Sequence, residues 1–240
     1  MTILILHGWA VDPDNEAKWQ VFRETLKRAG YASQFLALPG LTSPLTTPWG
    51  LAEYVAWLRN LPALKQPVVL IGHSFGGQLA CRFAAHYPDL VSALILIDSA
   101  GIRDDALVAR TKRLIFWIAA KIGKSFTRSS MLRTLLYRVA RERDYYTASP
   151  VLRATMARVL DDEVKADLQH IKVPTCVIWG ENDTVTPLRL AYRFLKGITK
   201  SKLQIVTGAR HSPQFTHPTV TVSFIVEFLR TLKSEGRSHA

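Results

Sequence analysis

The sequence predicts an α/β fold in which helices cover both faces of a doubly wound, mainly parallel sheet of about six strands. Two observations predict it: short runs of strand-forming apolar residues recur along the chain, and segments of helical period separate them. Runs that are apolar on both faces suit a parallel sheet buried between two helical layers. The predicted strands are residues 2–6, 33–38, 68–72, 93–98, 175–180 and 202–206.

The segments between the strands carry residues that start or end helices. A helix over 18–29 is predicted to end at Gly30, because glycine readily adopts the left-handed conformation that follows a helix. Thr47 and Pro48 are typical of an N-cap and a first helical residue, and Pro218 is predicted to begin the last helix. Each predicted strand is thus followed by a segment able to cross back over the sheet.

This alternation stops between residues 101 and 169, where the pattern is helix-like and no strand is convincing. We therefore expect a core of residues 1–100 and 170–240 with a helical insertion at 101–169. Residues 101–165 contain fourteen Lys and Arg against seven Asp and Glu, so this segment carries +7 of the net charge of +12. The basic charge is concentrated there and no nucleic-acid-reading motif accompanies it, so we expect no nucleic-acid partner.

Composition excludes several classes of protein. With 240 residues and 48% hydrophobic content the chain can bury a sizeable core, but its conspicuous apolar run at 114–120 is far too short to span a membrane. The start of the chain lacks the features of a signal peptide, which predicts a cytoplasmic protein. Cys81 and Cys176 lie in helix and strand patterns and suit buried thiols. No Cys or His pairs have metal-ligand spacing, so no metal is expected.

The third predicted strand runs into a glycine-rich turn, GHSFG at 72–76, and a helix follows. This G-x-S-x-G pattern at a strand–helix junction is typical of a turn that projects a nucleophilic serine, here Ser74, above the sheet. Side chains at positions 72 or 76 would clash across such a turn. Phosphate binding is disfavoured, because GHSFGG matches neither G-x-G-x-x-G nor a P-loop with its lysine. A tight structural connection without chemistry is the remaining alternative.

A serine hydroxyl needs a base to take its proton and a third group to orient that base. His211 is the best candidate, because GARHSP follows the last strand and lies at the same carboxyl edge of the sheet as Ser74. His73 is adjacent to Ser74, but neighbouring side chains diverge from a tight turn, so we expect it to shape the turn. The histidines expected at surface, packing, boundary or tail positions are His86, His170, His217 and His239.

The orienting acid is predicted in WGENDTVTP, which places Asp183 directly after the strand at 175–180. Glu181 is the local alternative. Asp98, at the end of an earlier strand, is the distant alternative, although a buried turn-forming role suits it better. The predicted order along the chain is therefore Ser74, Asp183 and His211.

Two backbone N–H groups are also needed to bind the developing oxyanion. Phe75 supplies one, because it follows the nucleophile at the start of a helix. The second is expected from Trp9 in HGW after the first strand, where Gly8 allows a close approach of the backbone.

Together HGW, GHSFGG, GENDTVTP and GARHSP resemble the α/β-hydrolase fold superfamily, and the resemblance covers nearly the whole chain. It implies a serine hydrolase that acts on carboxylic esters or related acyl bonds, without cofactor, and the insertion at 101–169 resembles that family's cap or lid. We expect a carboxylic-ester hydrolase that forms an acyl-enzyme. Ser74 argues against the haloalkane dehalogenases and most epoxide hydrolases of this fold, which use aspartate there.

The sequence departs from the family pattern in two places. The usual first two strands are missing, so strand 33–38 loses its neighbour and is expected to be shielded or to form a homodimer contact. Ala37 stands where relatives often carry aspartate, away from the proposed triad.

Several alternatives stay open: a thioesterase, an amidase, a carbon–carbon bond hydrolase, or a non-catalytic receptor that retains the triad. The expected partner is a small-molecule ester. The basic faces of the cap either meet solvent or attract anionic substrates or acidic lipid. The expected substrate-binding residues are Gly8, His73, Trp49, Phe116, Trp117 and Phe215.

Overall fold

The computed structural model describes residues 1–10, 12, 14–103 and 149–237. Its centre is a six-stranded sheet of β1 (Ile3–Leu6), β2 (Ser33–Leu36), β3 (Val68–His73), β4 (Val91–Ile97), β5 (Thr175–Gly180) and β6 (Ser201–Val206). The strand order is β2-β1-β3-β4-β5-β6, and every pair of neighbouring strands is parallel. The predicted doubly wound α/β fold is therefore confirmed.

Helices pack on both faces of the sheet because the strands alternate apolar side chains between two buried layers. In β1, Leu4 and Leu6 belong to one hydrophobic cluster, and Ile3 and Ile5 belong to the other. The helices of the described residues are α1 (Asn15–Lys18), α2 (Gln20–Arg28), α3 (Leu51–Arg59), α4 (Phe75–His86), α5 (Pro150–Asp161), α6 (Arg189–Gly197), α7 (Pro213–Thr216) and α8 (Pro218–Arg237). The first cluster is completed by α3, α4, α5 and α6, and the second by α2 and α8. Single 3₁₀ turns occur at Pro62–Lys65, Pro88–Leu90 and Leu168–His170.

The strand order reverses at β1. The chain passes from β1 to β2 on one side and then returns to place β3 on the other side. In sheets of this kind, the loops that leave such a point diverge and open a crevice at the carboxyl edge. The loops after β1 and β3 are those that carry Trp9 and Ser74.

Strand β2 lies at one edge of the sheet, as predicted. It ends at Leu36, two residues earlier than predicted. Whether its free edge forms a homodimer contact stays a prediction.

Helix α3 begins later than the sequence predicts. Thr47 and Pro48 do not start it; Gly50 is the N-cap and Leu51 the first helical residue. The Gly50 N–H donates to Glu53 Oε2 (2.8 Å), and the Leu51 N–H donates to Asp162 Oδ2 (2.9 Å). A carboxylate 111 residues away thus supplies part of the cap, which local sequence patterns cannot reveal.

Helix α5 lies in the C-terminal part of the predicted insertion and is attached to the core. Leu152 and Val159 are buried in the cluster that covers α4. The Gln78 side-chain amide on α4 donates to the carbonyls of Val159 (3.1 Å) and Asp162 (2.7 Å). Residues 104–148 of the predicted cap, including Phe116 and Trp117, lie outside the described residues.

Two other expectations can be compared with the described residues. Cys81 and Cys176 are buried free thiols, as predicted. Among the helices of residues 1–103 and 149–237, none combines the length and apolarity that crossing a membrane requires.

Candidate active site

The turn between β3 and α4 holds Ser74 in a strained conformation, with φ 51° and ψ −116°. A positive φ is costly for a residue with a side chain, and it persists here because the surroundings fix the backbone. The Ser74 N–H donates to the Ile97 carbonyl (3.1 Å). A Cβ at Gly72 would lie 2.5 Å from the Gly76 carbonyl oxygen, and one at Gly76 would overlap the Leu6 carbonyl. The predicted need for glycine on both sides of the serine is confirmed.

Ser74, His211 and Asp183 meet at the carboxyl edge of the sheet. The Ser74 Oγ lies 3.1 Å from His211 Nε2, and His211 Nδ1 lies 2.8 Å from Asp183 Oδ2. The three residues follow β3, β6 and β5, so the parallel sheet brings together side chains that are up to 137 positions apart. This arrangement suits transfer of the serine proton to a histidine whose orientation a carboxylate fixes.

The Asp183 carboxylate is buried and fully hydrogen-bonded. Its Oδ1 accepts from the N–H groups of Val185 (2.7 Å) and Thr186 (3.0 Å), and its Oδ2 accepts from the Thr186 hydroxyl (2.6 Å). Burial by itself raises the pKa of Asp183, but the hydrogen bonds from His211, Thr186 and Val185 outweigh it and the net pKa is lowered. Asp183 is therefore ionised at neutral pH. Thr186 was not singled out in the sequence, although it lies in the same loop.

The two alternative acids occupy other positions. The Glu181 carboxylate accepts a hydrogen bond from the Gly208 N–H (2.9 Å). Asp98 is fully buried with φ 44°, and its Oδ1 accepts from the Gly180 N–H (2.8 Å). Burial first, and then the charge of Asp183, raises the pKa of Asp98 to about 8. Asp98 is therefore neutral at pH 7 and attaches the end of β4 to the end of β5.

His73 connects the turn that holds Ser74 to the loop that holds His211. Its Nε2 donates to the His211 carbonyl (2.8 Å), so the ring proton lies on Nε2. Burial lowers the pKa of His73 to about 3, assisted by the nearby His211, and the ring stays neutral. This position agrees with the expectation that His73 shapes the turn.

In the loop after β1, Gly8 lies against the turn that holds Ser74, because a Cβ at Gly8 would be 3.1 Å from the Ser74 Cβ. Neither the Trp9 N–H nor the Phe75 N–H donates to another backbone or side-chain group in the described part of the chain. A Cβ at Gly8 would lie 2.8 Å from His73 Nδ1, so this close approach requires glycine. The rings of Trp9 and Phe75 meet edge to face with centroids 5.6 Å apart. That the two amides bind an oxyanion stays a prediction.

His7 fixes this loop, which sequence reasoning did not reveal. Its Nε2 accepts from the Leu38 N–H (3.3 Å), so the proton lies on Nδ1, which donates to the Gly8 carbonyl (2.7 Å). Burial lowers the pKa of His7 to about 4. A neutral imidazole thus bridges the loops after β1 and β2.

A cavity of about 190 Å³ lies beside Ser74. Gly8, His73 and Phe215, all expected to contact substrate, line it together with Asn15, Lys18 and Trp19, which the sequence analysis did not select. In the sequence, Asn15, Lys18 and Trp19 are marked only by their position shortly after HGW. The cavity is lined by Gly8, Trp9, Ala10, Asn15, Lys18, Trp19, His73, Ser74, His211, Ser212 and Phe215.

Trp49 occupies a different position. Its ring packs edge to face on Tyr54 (5.2 Å between centroids), and Tyr54 packs on Phe75 (5.1 Å). The Tyr54 ring therefore lies between Trp49 and Phe75, and Trp49 does not border this cavity.

His73, Asp98 and His211 bring one potential metal-ligand atom each within 4.8 Å of one another. Both ring nitrogens of His211 already face Ser74 and Asp183, and His73 Nε2 carries its proton toward a carbonyl. A metal ion would have to break these contacts, so the donor set suits proton transfer better than a metal centre.

Comparison with known proteins agrees with this fold. A bovine monoacylglycerol lipase, ABHD6 (Bos taurus), is 29% identical over 196 residues, which cover 72% of this chain and 58% of the lipase. A pimeloyl-[acyl-carrier protein] methyl ester esterase of Edwardsiella ictaluri is 26% identical over 257 residues, and the alignment covers 98% of this chain and 94% of the esterase.

Solved structures show the same architecture. A thermophilic esterase from Thermogutta terrifontis superposes with a TM-score of 0.68 at 21% identity, covering 97% of this chain and 90% of the esterase. The family model described as "Alpha/beta hydrolase family" matches residues 3–224, nearly the whole length. The chain therefore belongs to the α/β hydrolase family.

Proposed function

We propose that the protein is a serine hydrolase that cleaves carboxylic esters through an acyl-enzyme intermediate. The observation that carries the proposal is the continuous contact from Ser74 Oγ to His211 Nε2 (3.1 Å) and from His211 Nδ1 to Asp183 Oδ2 (2.8 Å). The ester class is supported by relatives named as a monoacylglycerol lipase and a methyl ester esterase.

In the first step, Ser74 Oγ attacks the ester carbonyl carbon while its proton passes to His211 Nε2. This requires the neutral tautomer of His211 with its proton on Nδ1, which ionised Asp183 selects by accepting that proton's hydrogen bond. The imidazolium that forms is stabilised by the same carboxylate. The carbonyl oxygen then becomes an oxyanion within reach of the Trp9 and Phe75 N–H groups.

In the second step, the tetrahedral intermediate collapses and His211 Nε2 gives its proton to the leaving alkoxide, which departs as the alcohol. Water then enters, His211 removes one of its protons, and hydroxide attacks the acyl carbon. The carboxylic acid leaves and the proton returns to Ser74 Oγ. The cap proposed at 101–169 would cover the site and exclude bulk water during these steps.

The reacting bond distinguishes the proposal from its alternatives. Thioesters, amides and activated carbon–carbon bonds can be cleaved by the same three groups, since each presents a carbonyl to the serine. Hydrolysis rates for p-nitrophenyl esters from C2 to C16, an aryl ester and a thioester would rank the oxygen esters against the thioester. We expect the oxygen esters to give the highest kcat/KM.

The test of the proposal is Ser74→Ala, which should lower kcat on the order of 10⁶-fold. Ser223→Ala is the matched control, because Ser223 is exposed on α8 and should be replaceable without loss. Stoichiometric labelling by a fluorophosphonate with repeated turnover of a p-nitrophenyl ester supports the enzyme. Labelling without turnover would instead support a receptor that retains the triad.

A further inference from the structure

The cavity beside Ser74 has an aromatic wall. Trp19, His73 and Phe215 all line it. The Trp19 and Phe215 rings meet edge to face with centroids 5.2 Å apart, and the His73 ring centroid lies 6.1 Å from Trp19 and 6.4 Å from Phe215. These distances are typical of packed aromatic pairs. The three rings therefore pack as one group beside the nucleophile.

The side chains around the cavity favour an uncharged group. His73 donates its Nε2 proton to the His211 carbonyl (2.8 Å), and burial keeps the ring neutral by lowering its pKa to about 3. Lys18 also lines the cavity, but its Nζ is paired with Asp12 Oδ2 at 2.5 Å, so the pair adds no net charge. A substrate group that packs on ring edges and faces therefore suits this wall better than an ionised group.

The size of the cavity corresponds to one six-membered ring. Its volume is about 190 Å³, and an engineered protein cavity of about 150 Å³ binds benzene. On the same scale, a fused pair of rings with ten carbons would need about 250 Å³. One ring therefore fits the cavity, and two fused rings exceed it.

Phe215 is the member of the wall that can limit this size. The residue is 37% exposed, whereas Trp19 is 1% exposed. Trp19 also packs against Phe22 and Phe35 in the second hydrophobic cluster, which fixes its ring. Phe215 belongs to the short helix α7, which directly follows the loop that holds His211. A substitution at Phe215 can therefore change the cavity without removing a core side chain.

We propose that this cavity binds one uncharged aromatic ring of the substrate and that Phe215 determines the largest ring accepted. Because Ser74 borders the cavity, the ring must lie close to the reacting carbonyl. The preferred substrates are then esters with a phenyl group on, or one carbon from, the ester group. This inference rests on the proposed ester hydrolysis and deepens it by naming the group that the cavity selects.

The test compares esters that differ only in the ring. Benzyl acetate is paired with cyclohexylmethyl acetate for the alcohol side, and methyl phenylacetate with methyl cyclohexylacetate for the acyl side. A methylene group separates the ring from the ester in every substrate, and each rate is divided by the rate of alkaline hydrolysis of the same ester. For the wild type we expect kcat/KM to favour the aromatic ester about three- to tenfold in the pair whose ring enters the cavity.

Two substitutions of Phe215 test its role. Phe215→Leu should reduce the aromatic preference to less than about twofold, because leucine is apolar but has no ring. Phe215→Ala should enlarge the cavity by about one ring, so the corresponding 2-naphthyl ester should gain at least about tenfold in kcat/KM relative to the phenyl ester. Each result is a ratio of two substrates for one variant, so a loss of folded protein does not change it.

The matched controls are Phe224→Leu and Phe224→Ala. Phe224 is a half-buried residue of α8 that does not line the cavity. Both control variants should therefore keep the wild-type ratios.

Three results would overturn the inference: no aromatic preference in either pair for the wild type, a preference that Phe215→Leu leaves unchanged, or equal discrimination against the 2-naphthyl ester by the wild type and Phe215→Ala. Turnover of p-nitrophenyl butanoate separates the two proposals. If the wild type hydrolyses it but shows one of these results, only the assignment of the cavity fails. If no ester is hydrolysed, the proposed function fails and the inference fails with it.

Discussion

Replacement of Asp98 by Asn should remove the pH dependence of stability that this residue imposes. Asp98 is fully buried and its pKa is raised from 3.8 to about 8, first by burial and then by the charge of Asp183. Between pH 4 and pH 8 the folded protein retains a proton that the unfolded chain releases. Stability therefore falls as pH rises through this range, by about 1.4 kcal/mol for each pH unit.

A pKa raised from 3.8 to about 8 corresponds to a loss of about 6 kcal/mol in folding stability once Asp98 is ionised in both states. Structural relaxation and the entry of water reduce this cost of burying the charge. We therefore expect Asp98→Asn to gain about 3 kcal/mol over the wild type between pH 5 and pH 9. Asparagine keeps an oxygen that can accept the Gly180 N–H hydrogen bond, which Asp98 Oδ1 accepts at 2.8 Å. At pH 5, where Asp98 is neutral, the two proteins should differ little.

The assay is urea unfolding at pH 5, 6, 7, 8 and 9 for the wild type, Asp98→Asn and Asp89→Asn. Asp89 is exposed and provides the same substitution without burial, so its variant should follow the wild type. Equal pH dependence for the wild type and Asp98→Asn would refute the reasoning, because it would show that Asp98 is ionised in the folded protein.

Substitution of Asp98 and substitution of Asp183 should have very different effects on activity. At pH 7 Asp98→Asn replaces one neutral group by another, so kcat should stay within about threefold of the wild type. Asp183→Asn removes the acceptor that orients His211 and should lower kcat on the order of 10³–10⁴-fold. If the Asp98 variant showed the larger loss, the orienting acid would be Asp98.

Three further substitutions test the supports of the site. Gly76→Ala places a Cβ against the Leu6 carbonyl and should destabilise the protein by more than about 3 kcal/mol, measured by urea unfolding; a stable variant would show that the turn can move. Asp162→Ala leaves the first N–H of α3 without its acceptor and should cost about 1 kcal/mol in the same assay, whereas no loss would indicate that water replaces the cap. Thr186→Val removes the hydroxyl that donates to Asp183 and should lower kcat about three- to tenfold with little change in KM; an effect on KM alone would place Thr186 in substrate binding.

Local sequence patterns predicted most of the fold because each element depends on nearby residues. A buried parallel strand needs only a short apolar run, and GHSFG at 72–76 specifies a strand, a turn and a helix in five positions. Ser74, Asp183 and His211 could be selected because each follows a recognisable strand. Parallel strands bring their carboxyl ends to one edge, so their proximity followed from topology.

Features that depend on distant partners could not be predicted. The cap of α3 combines Gly50 with a carboxylate from Asp162, so Thr47 and Pro48 gave the wrong start. The protonation state of Asp98 depends on burial and on the charge of Asp183, neither of which a sequence displays.

The measurement that tests the central claim most directly is mass-spectrometric mapping of the acyl group after rapid quenching of a reaction with p-nitrophenyl butanoate. The account predicts one butanoyl group per chain, attached to Ser74, that forms before steady-state release of acid and is absent from Ser74→Ala. A butanoyl group on another residue, or full turnover by Ser74→Ala, would contradict it.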